Sequence, residues 1–150
     1  MCEVRNRKGF TLVELAVVIV IIGVLAAFGV PKFLKSVERS KAAEAFQYLA
    51  AVRSAQERYI AQNGVYSTDL TQLDITQQTP KYFTLGTLST TGDSGGNPIW
   101  TMTLLRIAAT SSYGAYTVTF TQDGFDATNS TIASNPTLNA DINPLGSTSS

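Results

Sequence analysis

Residues 10–30 carry one charged side chain, Glu14, in an otherwise almost unbroken run of Val, Ile, Leu, Ala, Phe and Gly. A bilayer core takes about 20 apolar residues in helical form. Residues 10–31 therefore read as a membrane-spanning helix, preceded by a short basic segment, 1–9. Beyond Pro31 the pattern turns amphipathic. Phe33 and Val37 lie one turn apart, and Ala42, Ala45, Phe46, Leu49, Val52, Tyr59 and Ile60 recur at three-to-four spacing, with Gln56 interrupting. Lys, Glu, Arg and Gln fill the other face. Residues 32–62 are thus a helical continuation with one buried stripe, and Asn63-Gly64 supplies the stop. A helix over 10–62 is about 80 Å long.

The period then changes. After a loop at 63–80, residues 81–85, 99–107 and 115–121 read as strands. The last alternates, with Tyr116, Val118 and Phe120 on one face. Turns fall at 92–98 and 109–114. The segment 81–125 is therefore an antiparallel sheet of three to four strands, its apolar face packed on the stripe from Phe46 to Tyr59. Residues 126–150, rich in Ser, Thr, Asn and Ala, read as an irregular, exposed tail. The fold class is α+β.

Glu14 is the anomaly. A carboxylate at the centre of a spanning helix costs about 2.5–3.5 kcal/mol. One turn from the end the cost is lower, and the side chain can snorkel to the interface. Two readings stay open. Glu14 is a tolerated interfacial charge, or it finds a cationic partner in an assembled helix bundle, where a low dielectric strengthens the pair. Arg5, Arg7 and Lys8 ahead of the run resemble the start of a secretory signal, but the apolar core is too long for an ordinary one. A cut after Gly9 removes the basic leader, keeps the helix as an anchor, and leaves an amine on Phe10.

The string Lys8-Gly9-Phe10-Thr11-Leu12-Val13-Glu14-Leu15 resembles the cleavage and methylation motif of type IV prepilins and type II secretion pseudopilins, most of all the type IVa style. The resemblance implies that a prepilin peptidase cuts after Gly9 and N-methylates Phe10. It also implies that Glu14 neutralises the Phe10 amine of an adjacent subunit during filament assembly. Gly23 and Pro31 match the family's helix-weakening positions, although Gly is common in membrane helices and Pro31 also marks the end of the apolar run. By the same resemblance the chain is a single-pass precursor in a bacterial inner membrane, held in lipid before assembly. It then becomes a subunit of a homo-oligomeric cell-surface pilus, or of a periplasmic pseudopilus, built by an inner-membrane platform and an ATPase motor. The fibre would serve adhesion, twitching motility or DNA uptake; as a pseudopilin the chain would serve secretion. The stretch NGVYSTDLTQLDI is similar to the family's connecting loop, in which a Tyr, here Tyr66, anchors against the helix. A more remote alternative is a membrane-tethered binding domain.

Composition narrows the chemistry. The 11 basic and 11 acidic residues balance, which gives no support for nucleic-acid binding. Loss of Glu3, Arg5, Arg7 and Lys8 with the leader would leave 8 and 10. Lys32, Lys35, Arg39 and Lys41 follow the apolar run, so charge alone does not orient it. There is no histidine, which removes His-based triads and most zinc sites. The string Gly92-Asp93-Ser94-Gly95-Gly96 is spelled as around a protease nucleophile, but without histidine it reads as a turn. The chain is not expected to be an enzyme. Cys2 is the one cysteine, has no lipobox around it and would leave with the leader, so the disulfide that closes many pilins is not available. No cofactor is expected. Calcium is the one metal to consider, on Asp123, Asp126 and Asp141, because the major pseudopilins bind it in their C-terminal region.

Overall fold

The computed structural model describes residues 9–92 and 96–146. The α+β expectation holds, with five strands where three to four were expected. A helix α1, Leu12–Asn63, passes through two compact units that divide after Leu34. The first unit's part of α1 exposes its apolar side chains all round, Leu12 at 87% and Phe28 at 72% among them. By length and composition α1 can cross a membrane. Phe33, placed with the buried stripe by its spacing, is exposed within this unit, and Val37 is half-buried in the next.

In the second unit Ala42, Ala45, Phe46, Tyr48, Leu49, Val52 and Ala55 form the buried stripe of α1. They face one side of an antiparallel sheet. The central strand β3, Pro98–Arg106, pairs with β1, Phe83–Leu85, and with β2, Ser89–Gly92, on one edge. On its other edge lies β4, Thr117–Thr121, followed by the short β5, Gly124–Phe125. Trp100, Met102 and Leu104 of β3, with Tyr116, Val118 and Phe120, complete the core. Phe46 packs edge-on to Phe120 at 5.7 Å and against Phe125 at 4.8 Å between ring centroids. Each fully buried Leu or Val contributes about 1.5–3 kcal/mol. Strand β2 escaped the sequence reading because Ser-Thr-Thr-Gly has no apolar alternation; backbone pairing to β3 alone makes it a strand. Between β1 and β2, Gly86 donates its N–H to the Thr103 carbonyl at 2.9 Å. A Cβ there would lie 2.3 Å from that oxygen, so only glycine fits.

Two interrupting polar residues turn out to hold the unit together. Gln56 is fully buried; its amide donates to the Ser67 carbonyl at 2.8 Å and accepts from Ser67 N–H at 3.0 Å. That double bond pins the loop at 63–80 to α1. Glu38, read as surface, is 3% exposed and faces Arg106 at 1%. Arg106 donates through Nε to Glu38 Oε1 at 2.6 Å and through Nη2 to Oε2 at 3.1 Å, while Tyr116 OH donates to Oε1 at 3.0 Å. The remaining guanidinium protons go to the carbonyls of Tyr82, Ile107 and Thr110 and to Thr110 Oγ1. Burial alone would push the Glu38 carboxyl up. The bonds and charge of Arg106 outweigh it, helped by Tyr116 and Lys41, and hold it below the ordinary carboxylate value.

Residues beyond 125 correct the expectation of an irregular, exposed tail. Asp126 N–H donates to the Thr119 carbonyl, Thr119 N–H to Ser130 Oγ at 2.8 Å, and Thr117 N–H to Thr131 Oγ1 at 2.7 Å. Side-chain hydroxyls thereby seal the β4 edge. Helices α2, Thr131–Ser134, and α3, Pro136–Asp141, follow, and Ile132 and Ile142 are fully buried. Asn135 caps α3 from its own side chain, with Pro136 in the first turn. The tail is composed like a loop, but a few apolar residues at the right places carry it into the core. It is fastened to α1 by Lys35 Nζ on Asp141 at 2.7 Å, which Tyr113 OH also contacts, and by Arg39 on the Pro144 carbonyl at 3.2 Å.

Breaking a buried ion pair on one side costs about 3–5 kcal/mol. Glu38→Gln should lose that much, read as urea unfolding of the full chain in detergent by Trp100 fluorescence. Because the native carboxyl titrates low, its stabilisation is complete above the ordinary carboxylate range, about pH 4, and fades as pH falls through the native value. The gap between the two proteins should therefore close on acidification. Gly86→Ala, which drives a methyl into the Thr103 carbonyl, should cost about 1–3 kcal/mol in the same assay.

Candidate functional site

Gly9 and Phe10 precede α1 and are exposed, Phe10 at 82%. Thr11 is the residue at which the helix begins. Its N–H and Oγ1 both donate to Glu14 Oε2, at 2.8 and 2.9 Å, and Glu14 N–H donates back to Thr11 Oγ1 at 3.2 Å. This is a capping box: Thr at the N-cap and Glu three residues on satisfy two of the helix's unpaired N–H groups. The Glu14 charge also sits at the positive end of the helix dipole. The structure thus brings Glu14 to within one turn of Phe10, as the spacing requires, and shows a local partner that the sequence reading missed. The signal was present: Thr-x-x-Glu ahead of an apolar run is the sequence form of this box.

Gly23 and Pro31 both lie inside α1, and residues 23–31 are helical in the single chain. Nothing lies within 4 Å of a Cβ built on Gly23, so no packing within the chain calls for glycine there. Pro31 has no N–H to give the preceding turn. Their expected role concerns the assembled fibre.

Tyr66 is half-buried against the core, and its hydroxyl donates to Glu57 of α1 at 3.3 Å. Its phenol is pushed up by burial and by the Glu57 charge. Bonds from Ser67 Oγ and Tyr59 OH to Gln72 Oε1 fix the same loop. A hollow of about 190 Å³ beside it is lined by Arg58, Tyr59, Gln72 and Asp74. Arg58 and Asp74 are already paired there at 2.7 Å.

The three aspartates considered for calcium have separate partners: Gln122 for Asp123, Asn129 for Asp126, and Lys35 with Tyr113 for Asp141. Among the described residues no group of three His, Cys, Asp or Glu side chains comes together. Residues 93–95 of the Gly-Asp-Ser-Gly-Gly string, and the leader with Cys2 up to residue 8, lie outside the described residues.

The family described as the prokaryotic N-terminal methylation motif matches residues 4–30. The type IV wide pilus major component PilA4 of Thermus thermophilus is 33% identical over 122 residues, 75% of this chain and 88% of that protein. The chain belongs to the type IV pilin and pseudopilin family. Within it, the type IV major pilin protein PilA of Myxococcus xanthus is 48% identical over 63 residues, 42% of this chain and 28% of that pilin. The type II secretion system core protein G of Vibrio cholerae is 40% identical over 68 residues, 45% of this chain and 47% of that pseudopilin. The matches to these two span less than half of each relative's own length. No solved structure matches the chain significantly.

In this pilin-family chain, Thr11→Val keeps the shape of the side chain and removes the capping hydroxyl. It should cost the helix end about 1 kcal/mol. Amide exchange at residues 12–15 of the detergent-solubilised protein should speed up accordingly, while exchange in the second unit stays unchanged.

Proposed function

We propose that the chain is a structural subunit of a type IV pilus filament and works by assembling rather than by catalysis. The observation that carries this reading is the first unit itself. It is a helix apolar on every side, with one carboxylate in its first turn directly after an exposed Gly9-Phe10 pair. Before assembly lipid covers that surface; afterwards the helices of other copies do. A prepilin peptidase cuts after Gly9 and methylates Phe10, and the new Phe10 amine of one subunit pairs with Glu14 of its neighbour. Both capping bonds from Thr11 fall on Oε2, so an arriving amine can bond Oε1 without undoing the helix cap. A charge pair away from water is far stronger than in it, and it fixes the axial offset between subunits.

Gly23 and Pro31 are the places where α1 gives way on packing: glycine weakens a helix by about 1 kcal/mol and proline by about 3. The precursor resides in the inner membrane and is drawn into a surface pilus by an assembly platform and its motor. The second reading, a pseudopilin of a type II secretion system, is favoured by the likeness to core protein G. Length of fibre separates the two: long sheared surface filaments go with the pilin, a short periplasmic assembly with the pseudopilin.

Mass spectrometry of the mature chain should show a methylated Phe10 at its start. Gly9→Leu should leave residues 1–9 attached. Glu14→Ala should leave membrane insertion intact or improved and cut the yield of sheared filament at least about tenfold, the effect of losing about 1.4 kcal/mol from one subunit contact. Filaments at normal yield from Glu14→Ala would overturn the pairing.

A further inference from the structure

The charges along α1 are sorted. Residues 32–41 hold Lys32, Lys35, Arg39 and Lys41 against Glu38 alone, and Glu38 is buried on Arg106. Residues 42–63 hold Arg53 and Arg58 against Glu44 and Glu57. Cations thus outnumber acids just after the apolar run and are balanced by them further along the helix.

The second unit gathers two more segments onto the same stretch of α1. Lys41 and Arg106 both donate to the Thr110 carbonyl, which draws in the loop after β3. Lys35 and Arg39 hold Asp141 and the Pro144 carbonyl, which draws in the chain after α3. Beside each anchor stands an exposed apolar side chain, Ile107 at 37% and Leu145 at 58%. Ala108 and Ala109 next to Ile107 are exposed too. Asp141 and Lys35 offset one another, whereas the bond of Arg39 is to a neutral carbonyl and leaves its charge to meet an anion.

Apolar tips flanked by long cations are what a bilayer interface takes: the tips enter the headgroup region and the cations reach lipid phosphates. Connectivity supplies the proximity. Lys35 is four residues beyond Pro31, and a chain of that length reaches at most about 14 Å, so this end of the unit cannot leave the neighbourhood of the membrane. We propose that Arg39, Ile107 and Leu145, with the Lys35–Asp141 pair holding the C-terminal segment in place beside them, form a docking surface for an anionic phospholipid bilayer, on which the second unit rests while the subunit awaits assembly. An acidic surface on another copy would satisfy the cations but leave Ile107 and Leu145 unexplained, so lipid is the occupant the residues favour.

This rests on the reading of 10–31 as membrane-embedded, and the test separates the two. Full-length protein with Cys2→Ser is reconstituted into bilayers of phosphatidylcholine, with or without phosphatidylglycerol. Single cysteines at Leu145, Ile107, Ser89 and Val20 carry a fluorescent label. Nitroxides on lipid headgroups should quench the labels at 145 and 107, but not at 89, and only when phosphatidylglycerol is present. Added salt should relieve the quenching. Arg39→Gln should lower the docked population about fivefold, the worth of one cation at an anionic surface, and Arg39→Lys should restore it. Labels at 145 and 107 that behave like the one at 89 overturn the proposal. So does quenching that ignores lipid charge, or proximity only between two labelled copies. A Val20 label that acyl-chain nitroxides fail to quench would instead sink the membrane-embedded reading.

Discussion

Two charges shut away from water must answer one another, and in this protein they belong to elements far apart in sequence. Glu38 lies near the start of the second unit's share of α1, and Arg106 ends the central strand. Neither tolerates the absence of the other, since a lone buried charge costs several kcal/mol. Their two-point contact therefore fixes how far along the helix the sheet sits and how it is rotated. The protons of Arg106 not used by Glu38 organise the β3–β4 connection, and Tyr116 brings β4 into the same cluster. With a single cysteine in the chain, no internal disulfide shares this task. Apolar burial supplies most of the free energy, while the ion pair selects one arrangement among those that burial alone would permit.

The elements that sequence showed well are those where period and burial agree. The apolar run, the stripe from Ala42 to Val52 and the alternation of β4 belong to this class. Glu38 was assigned to the surface because of its charge, yet 38, 42, 45, 49, 52 and 56 follow one another at helical spacing, so it stands on the buried stripe. Arg106 likewise keeps the parity of Trp100, Met102 and Leu104. Two opposite charges, each on the inward phase of its element, are a legible sign of a buried pair. The C-terminal segment was misread because bulk composition outvoted local chemistry. Asn135-Pro136 is a helix start, and Ile132, Leu138 and Ile142 are enough to bury it. Strand β2 was beyond reach, since its place depends on a partner strand rather than on its own residues.

At the N-terminus, Gly9, Phe10 and Glu14 stood out in the sequence because a charge in an apolar run is conspicuous. Thr11 did not, because a threonine is unremarked until its hydroxyl has an address. The capping box changes the problem that Glu14 poses. The carboxylate is not left bare in the single chain; it is half-engaged by its own helix, and that keeps its position defined.

Sealing the β4 edge with the hydroxyls of Ser130 and Thr131 has an implication for crowding. Strand margins left open recruit foreign strands and start cross-β aggregates. In the proposed filament that hazard would be met at high local concentration. Here the vulnerable N–H groups already bond to side chains on a segment whose following residues turn away as helix. Copies can crowd together without templating one another, and contact between them is left to surfaces other than this margin.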